Sequence, residues 1–370
     1  MNKIPWIKSS IKLNWREIWK IKKILKSGDV TNNGKYNQKF ESQVSELYPG
    51  YEVISCNSGS QALFLTLRAL QLTGKVVLPS FTYIATLSAV VENNLDYTFV
   101  DVDIDTWTIN IQEVEKLLSK DDSYVVVIAV NTFGNSANLA KLQLVCDKYN
   151  CKLIIDDAHG FGIKDDPSID LVRCFSLHAT KGFSTIEGGL CLVENKALAR
   201  KIRQLKDHGL AQDRFESNTG FNGRLDEIRS FIGISNLKKL NHQYERRKQM
   251  AEIYLSKLSS LSQKVRFQKN NKNFKRVYTN FAILFDDKNL VEASSGDKFI
   301  IYMEKHNIQV RRYFYPVLHK MKNFKGSFDL QVTDNLNDNL YGLPFYYGLS
   351  NKEINFICLS IIKYVNNYDS

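Results

Sequence analysis

The chain has 370 residues, of which 44% are hydrophobic and 24% charged, a composition typical of a globular protein with one large and one smaller domain. No run of about 18 apolar residues is present, and the N-terminus lacks a signal-peptide pattern, so we expect a cytoplasmic protein without membrane contact. The six cysteines form no C-x-x-C pair, which argues against zinc and disulfide sites and predicts reduced, mostly buried thiols.

The net charge of +11 comes from 50 basic and 39 acidic side chains that are spread along the chain. Three explanations are open: nucleic-acid binding, a lysine-rich composition without functional meaning, and attraction of an anionic small substrate. No RNP, zinc-finger or basic-zipper pattern supports the first explanation, so we expect no nucleic-acid partner.

Strand-like and helix-like segments alternate through the first two thirds of the chain. An amphipathic helix over 14–27 is predicted to end at Gly28. The segments that follow are predicted, in order, as strand VVLPS, helix IATLSAVVENN, strand YTFVDVD, strand SYVVVIAV, helix ANLAKLQLVCDKYN, strand KLIIDDA and helix ALARKIRQLKDHG. This alternation predicts a parallel sheet with helices on both faces and ligands at the carboxyl ends of its strands.

The last third of the chain looks like a smaller α/β unit. A helical pattern over 224–261 predicts either two helices or one long helix that bridges two domains. Strand VYTNFAILF, helix SGDKFIIYMEKHN, strand IQVRRYFYP and helix SNKEINFICLSIIKYV are predicted after it. We therefore predict a large domain over 1–240 and a small domain over 241–370.

A small, polar, glycine-containing turn begins the helix in SCNSGSQALFL. Exposed backbone N–H groups and the positive end of the helix dipole make such a turn a natural anion site, in which Gly59 permits close approach and Ser60 adds a hydroxyl. A plain N-capped helix explains the same residues, and the Gly-Lys-Ser/Thr ending of a Walker loop is missing.

An acid and a lysine follow this turn along the chain. The apolar strand in LIIDDAHGFG ends in Asp156, where α/β enzymes place ligand-binding groups, although a turn aspartate is an equally good explanation. In FSLHATKGFSTIEGG, Lys181 lies between two predicted strands; enclosure there would lower its pKa and favour the nucleophilic amine, whereas a lone lysine is usually a solvated cation. An anion turn, an acid and an enclosed lysine, in this order, match the requirements of pyridoxal phosphate.

The chain also resembles a known family nearly from end to end. The segments that carry the resemblance are SGDVTNNGKYNQKFESQV, NSGSQALFL, LPSFTYIATLSAV, FVDVDIDTWTIN, NTFGNSANL, GFNGRLDEIRSFIG, YFYPVLH and LPFYYGLS. Together and in this order they are similar to the DegT/DnrJ/StrS family of nucleotide-sugar aminotransferases. The resemblance implies an α/β, fold-type-I aminotransferase with a mostly parallel central sheet, a smaller C-terminal α/β domain and bound pyridoxal 5'-phosphate.

The family pattern implies a role for each matching position. Lys181 would be the catalytic Schiff-base lysine and proton shuttle, Asp156 the partner of the pyridinium nitrogen, and His159 a neighbour of the ring oxygen. Asp157 occupies a usually small position and is a rival to Asp156. Further cofactor contacts are implied for Tyr83 at the ring face and for Gly59, Ser60, Ser176 and, from the partner of a homodimer, Asn222 at the phosphate. Tyr313, His319 and Glu187 are implied near the substrate.

The resemblance implies ping-pong transfer of an amino group from glutamate to a nucleotide-linked 4-keto-6-deoxyhexose. A dTDP-linked sugar aminated at C4 is favoured, while C3 amination and a UDP- or GDP-linked sugar stay open, and the product would serve surface polysaccharide (O-antigen) synthesis. Relatives that replace the lysine with histidine are sugar dehydratases, and Lys181 argues against that outcome. A non-catalytic binding or regulatory protein of the same fold is the other alternative.

Overall fold

The computed structural model describes residues 3–163, 171–211, 213, 217–271, 276–324, 326 and 328–367. Its helices are α1 Trp15–Ser27, α2 Lys35–Leu47, α3 Gly59–Leu70, α4 Ile84–Val91, α5 Ile111–Leu118, α6 Leu139–Lys148, α7 Lys196–Lys206, α8 Glu227–Leu237, α9 Leu240–Lys257, α10 Lys288–Ser294, α11 Lys298–Lys305, α12 Gln331–Asn339 and α13 Asn351–Asn366. Its strands are β1 Glu52–Cys56, β2 Lys75–Pro79, β3 Asp96–Val100, β4 Tyr124–Val130, β5 Lys152–Asp156, β6 Val172–Ser176, β7 Gly189–Val193, β8 Val265–Phe267, β9 Ala282–Phe285, β10 Arg311–Arg312 and β11 Leu340–Gly342.

A seven-stranded sheet with the strand order β1-β7-β6-β5-β4-β2-β3 forms the centre of the fold. Strands β3, β2, β4, β5 and β6 run parallel, and β7 runs antiparallel to both of its neighbours. Apolar side chains of α3, α4 and α7 pack on one face, and those of α5 and α6 pack on the other. The predicted α/β class with a mostly parallel sheet is confirmed, and β7 is the antiparallel exception.

A second, antiparallel sheet has the order β10-β11-β9-β8 and packs against α9, α11 and α13. The helical pattern over 224–261 breaks into α8 and α9, as one of the two alternatives predicted. Ile4 joins this second core, while Leu318 and Leu330 join the core of the large sheet. The chain therefore crosses between the two cores more than once, and the predicted boundary at 240 stays a prediction.

Two predicted strands are much shorter than expected. In VYTNFAILF only β9 is a strand, because Val277 and Thr279 donate their N–H groups to the carbonyls of Gly134 and Phe133 at 3.0 and 3.4 Å instead. In IQVRRYFYP only β10 is a strand, and Pro316 has no N–H for a ladder. The residues of these two segments that lie outside β9 and β10 are therefore not part of the small sheet.

Helix α1 begins and ends as its sequence predicts. Asn14 and Glu17 form a reciprocal capping box, and Gly28 closes the helix with φ +80°, in the left-handed region that glycine adopts without strain. The six cysteines are buried and form no disulfide. None of the described helices is both long and apolar enough to cross a bilayer.

Candidate active site

A cavity of about 510 Å³ opens at the carboxyl ends of the parallel strands. Val130 at the end of β4, Asp156 at the end of β5 and Ser176 at the end of β6 all line it. The first residues of α3 and α4 close two further sides. This is the edge at which parallel α/β sheets bind ligands, because the helix N-termini and strand ends converge there.

The predicted anion turn forms one end of the cavity. Ser58 caps α3 by accepting a hydrogen bond from the N–H of Gln61 at 3.1 Å, and the N–H groups of Gly59 and Ser60 have no partner among the described residues. A Cβ at Gly59 would lie 2.7 Å from the Cβ of Ser176, so only glycine allows α3 and β6 to approach this closely. The turn is therefore both a capped helix start and a set of free donors beside Ser176.

Asp156 is a buried carboxylate that faces the cavity. Its Oδ2 accepts a hydrogen bond from the hydroxyl of Thr86 at 2.6 Å, and its Oδ1 accepts one from the N–H of Ala158 at 3.1 Å. Burial raises the pKa of Asp156 above its ordinary value, while these two donors and the charge of Lys181 oppose the rise. Two neutral donors thus hold the carboxylate in one orientation, and its oxygens can still accept a hydrogen bond from a cationic partner.

Asp157 points away from the cavity and is fully occupied elsewhere. Its carboxylate accepts hydrogen bonds from Nε of Arg173 at 2.6 Å and from Nδ2 of Asn131 at 2.7 Å, and both Asp157 and Arg173 are fully buried. Asp157 is not among the residues that line the cavity. Of the two neighbouring carboxylates, only Asp156 is available to a ligand.

Lys181 lies in the same cavity, in the loop between β6 and β7. Burial lowers the pKa of Lys181 from 10.5 to about 8, and the carboxylate of Asp156 partly opposes the shift. An appreciable fraction of the amine is therefore unprotonated near neutral pH, which is the form that attacks a carbonyl carbon.

His159 and Tyr83 form two walls of the cavity. Nδ1 of His159 accepts a hydrogen bond from the N–H of Phe133 at 3.3 Å, and its ring lies nearly parallel to that of Phe314. Burial, with a smaller contribution from the charge of Lys181, places the pKa of His159 well below its usual range. The imidazole is consequently neutral, with its proton on Nε2. Tyr83 precedes α4 and is largely exposed to the cavity.

The remaining predicted residues divide into two groups. Glu187 and Tyr313 line the cavity, and Glu187 pairs with Nε2 of His178 at 3.3 Å. His319 does not line it, because its ring nitrogens bond to Ser80 at 2.8 Å and to Asp334 at 3.1 Å. Asn222 is exposed and also lies outside the cavity lining.

Several lining residues were not predicted from the sequence. They are Trp6, Arg311, Arg312 and Tyr315 at the cavity mouth. Thr86, which does not line the cavity but bonds to Asp156, was not predicted either. The two adjacent arginines in VRRYFYP were the available signal for an anion-binding wall. Nothing in the local sequence connects Trp6 to them, since the contact spans some 300 positions.

An α/β fold that gathers an anion turn, a buried carboxylate and a lysine of lowered pKa at its strand ends defines a pyridoxal-phosphate-dependent transferase. The chain belongs to the DegT/DnrJ/EryC1/StrS aminotransferase family, whose model matches residues 12–362. It is accordingly a pyridoxal-phosphate-dependent sugar aminotransferase, as the sequence predicted.

Relatives of known name support this assignment. The chain is 29% identical to a dTDP-4-amino-4,6-dideoxy-D-glucose transaminase of Shigella dysenteriae, over 91% of this chain and 92% of the relative. It is 25% identical to a GDP-perosamine synthase of Vibrio cholerae, over 92% and 94% of the two chains. A crystal structure of a putative pyridoxal-phosphate-dependent aminotransferase from Bacillus cereus superposes with a TM-score of 0.87 at 25% identity, covering 97% of this chain and all of the other.

Proposed function

We propose that this protein moves an amino group from glutamate to a nucleotide-linked 4-keto-6-deoxyhexose. The favoured substrate is a dTDP-linked sugar aminated at C4, because two similar relatives are dTDP-4-amino-4,6-dideoxy-D-glucose transaminases. Similarity to GDP-perosamine synthases keeps a GDP-linked sugar as an alternative, and amination at C3 or of a UDP-linked sugar stays open. The amino sugar would enter surface polysaccharide, as in O-antigen.

The described residues fit the cofactor at both of its ends. We assign the partnerless N–H groups of Gly59 and Ser60, with Ser176, to the phosphate. We assign Asp156 to the ring nitrogen, because it is the buried carboxylate that faces the cavity. Bound pyridoxal phosphate supplies an aldehyde carbon for amino groups and a protonated ring that withdraws electron density from the substrate carbon.

Lys181 is the proposed catalytic residue. Its neutral amine would be the covalent anchor of the cofactor, and the freed amine would move the proton at the donor carbon and at the sugar carbon. A pKa of about 8 suits both tasks, since the amine both accepts and releases protons near neutral pH. The hydroxyl of Thr86 and the N–H of Ala158 keep the Asp156 carboxylate in place throughout.

The other proposed contacts complete the site. Tyr83 covers the ring face, and the Nε2–H of neutral His159 donates to the ring oxygen. Tyr313 and Glu187 are proposed at the substrate, and His319 would act there only if it left Ser80 and Asp334. Asn222 is exposed, and its Oδ1 accepts a hydrogen bond from Nε of Arg224 at 3.3 Å. We propose that the active unit is a homodimer in which Asn222 of the partner subunit reaches the phosphate, and that it works in the cytoplasm.

The observation that carries this proposal is the meeting of Lys181 and Asp156 in one cavity. The test is to mix the purified protein with glutamate and with dTDP-, UDP- and GDP-linked keto sugars, and to detect the amino sugar by mass. We expect an amino sugar from at least one nucleotide series, none with Lys181→Ala, and normal yield with the exposed control Lys148→Ala. If no keto sugar is aminated while glutamate still converts the cofactor, the substrate class is wrong.

A further inference from the structure

The mouth of the cavity carries a cation stacked on an aromatic ring. The guanidinium carbon of Arg311 lies 4.7 Å from the ring centroid of Trp6 and 6.0 Å from that of Tyr313. The rings of Trp6 and Tyr313 are themselves 5.3 Å apart, and all three side chains line the cavity. We call Trp6, Arg311 and Tyr313 the mouth shelf.

The mouth shelf is held by the backbone and not by side-chain packing alone. The N–H of Ile4 donates to the carbonyl of Asn307 at 2.8 Å, and the N–H of Gln309 donates to the carbonyl of Ile4 at 3.0 Å. Trp6 is fixed in turn, because its N–H donates to the side chain of Gln309 at 3.3 Å and its carbonyl accepts from Phe345 at 3.1 Å. The N-terminal segment is thus tied to the segment that precedes Arg311.

A glycine under the indole allows this arrangement. Gly342 on β11 pairs in register with Arg311 on β10, and a Cβ at Gly342 would lie 3.0 Å from Nε1 of Trp6. A larger residue at 342 would push the ring from its place beside Arg311. The indole and the guanidinium are therefore positioned by the same two-stranded ladder.

Arg311 has no counter-ion within the described part of the chain. Its neighbour Arg312 pairs with Asp297 at 3.1 Å, whereas no described carboxylate lies within ion-pair distance of the exposed Arg311. An unpaired guanidinium at a cavity mouth attracts an anion and binds phosphate oxygens in a bidentate manner. Beside it, the half-buried indole offers an aromatic surface on which a planar base can stack.

We infer that the mouth shelf binds the nucleoside diphosphate of the sugar substrate, with Arg311 at the diphosphate and Trp6 at the base. This inference rests on the proposed function, since it assigns the part of the sugar nucleotide that does not react. Glutamate is also an anion, but it carries no planar group and would leave the indole unused. The shelf therefore selects for a nucleotide-linked sugar and leaves the amino donor to other residues.

The test is calorimetric titration of the protein loaded with pyridoxal phosphate, with dTDP and GDP as probes. We expect Arg311→Ala to weaken binding of the tighter diphosphate by about tenfold or more, because a charge-assisted contact is lost. Trp6→Ala should weaken binding of both the diphosphate and the free nucleoside, whereas Arg311→Ala should leave the nucleoside within about twofold. Arg16→Ala is the matched control, since Arg16 lies over Trp15 at 5.2 Å on the outer surface of α1 and should change nothing.

Two readouts separate failure of this inference from failure of the proposed function. Visible absorbance of the bound cofactor and its conversion by glutamate report the proposed function in every variant. If both are intact and the diphosphate binds Arg311→Ala and Trp6→Ala as tightly as the parent protein, the inference is overturned. The inference is equally overturned if neither diphosphate binds the parent protein, or if Arg311→Ala weakens the binding of glutamate alone.

Discussion

Arg173 and Asp157 form a fully buried ion pair directly behind the carboxylate that faces the cavity. The Nε of Arg173 donates to Asp157 at 2.6 Å, and its Nη1 donates to the carbonyl of Ile163 at 3.1 Å. The segment 157–163 therefore wraps around the pair. Because Asp157 is committed to Arg173, the neighbouring Asp156 is the one free to meet a ligand.

Breaking this pair should destabilise the protein strongly. We expect Asp157→Ala to lower the free energy of unfolding by about 3–5 kcal/mol, because it leaves the Arg173 guanidinium buried without its partner. The double variant Asp157→Ala/Arg173→Met should lose clearly less free energy of unfolding, since it leaves no unpaired charge buried. Urea unfolding followed by circular dichroism measures both. A double variant as unstable as the single one would contradict the account, and Lys148→Ala, in an exposed pair with Glu115, should have no measurable effect.

The lowered pKa of Lys181 predicts how the apo protein takes up its cofactor. Only the neutral amine reacts, so the uptake rate should rise about tenfold per pH unit well below the pKa and level off above it. With a pKa of about 8, the plateau should begin near pH 8. Stopped-flow absorbance between pH 6 and 10 measures the profile. A rate that keeps rising to pH 10, as for a solvated lysine, would show that the amine is not enclosed.

Gly59 should be intolerant of a side chain. A Cβ at this position would lie 2.7 Å from the Cβ and 2.8 Å from the Cα of Ser176, so Gly59→Ala must move α3 away from β6. We expect retention of pyridoxal phosphate to weaken by about tenfold or more, in line with the cost of overpacking. Equilibrium dialysis with absorbance detection measures this loss. Gly348→Ala, where the added Cβ meets its nearest atom at 4.0 Å, is the matched control and should retain the cofactor normally.

His159 should contribute to acid sensitivity. Its pKa is depressed in the folded state, so below about pH 6.5 the unfolded chain binds a proton that the folded protein does not. The free energy of unfolding therefore falls as pH decreases below 6.5. We expect His159→Gln to flatten this part of the stability profile, as measured by urea unfolding between pH 5 and 7.5. An unchanged slope would mean that the pKa of His159 is the same in the folded and the unfolded chain, which would contradict a neutral, buried imidazole.

Strands β2 to β7 of the large sheet were predictable because they are apolar runs with clear polar ends, whereas β1 was not predicted. Helix α2 was missed because its buried face includes Asn37 and Glu41, which hide the apolar periodicity. Only the fold shows why these polar residues are buried: Asn37 bonds to Ser55 and Ser230, and Glu41 pairs with Lys206 at 3.3 Å. Buried polar networks of this kind have no local signature.

Within the candidate site, residues next to predicted strands and helices were predictable, and residues that are distant in sequence were not. Asp156 and Lys181 follow predicted strands and Gly59 begins a predicted helix, so their convergence follows from the topology. The choice between Asp156 and Asp157 needed the position of Arg173, and the mouth shelf needed the pairing of the N-terminal segment with 307–309. For His319 the resemblance implied a place near the substrate, but in the structure its ring nitrogens bond to Ser80 and Asp334.

The central claim is that Lys181 is the covalent anchor of the cofactor, and borohydride reduction followed by peptide mass mapping tests it most directly. Reduction of the holoprotein should fix the cofactor on the peptide that contains Lys181 and on no other. Lys181→Ala should yield no fixed cofactor, while Lys148→Ala should behave as the parent protein. A fixed cofactor on a different lysine, or none on the parent, would contradict the account.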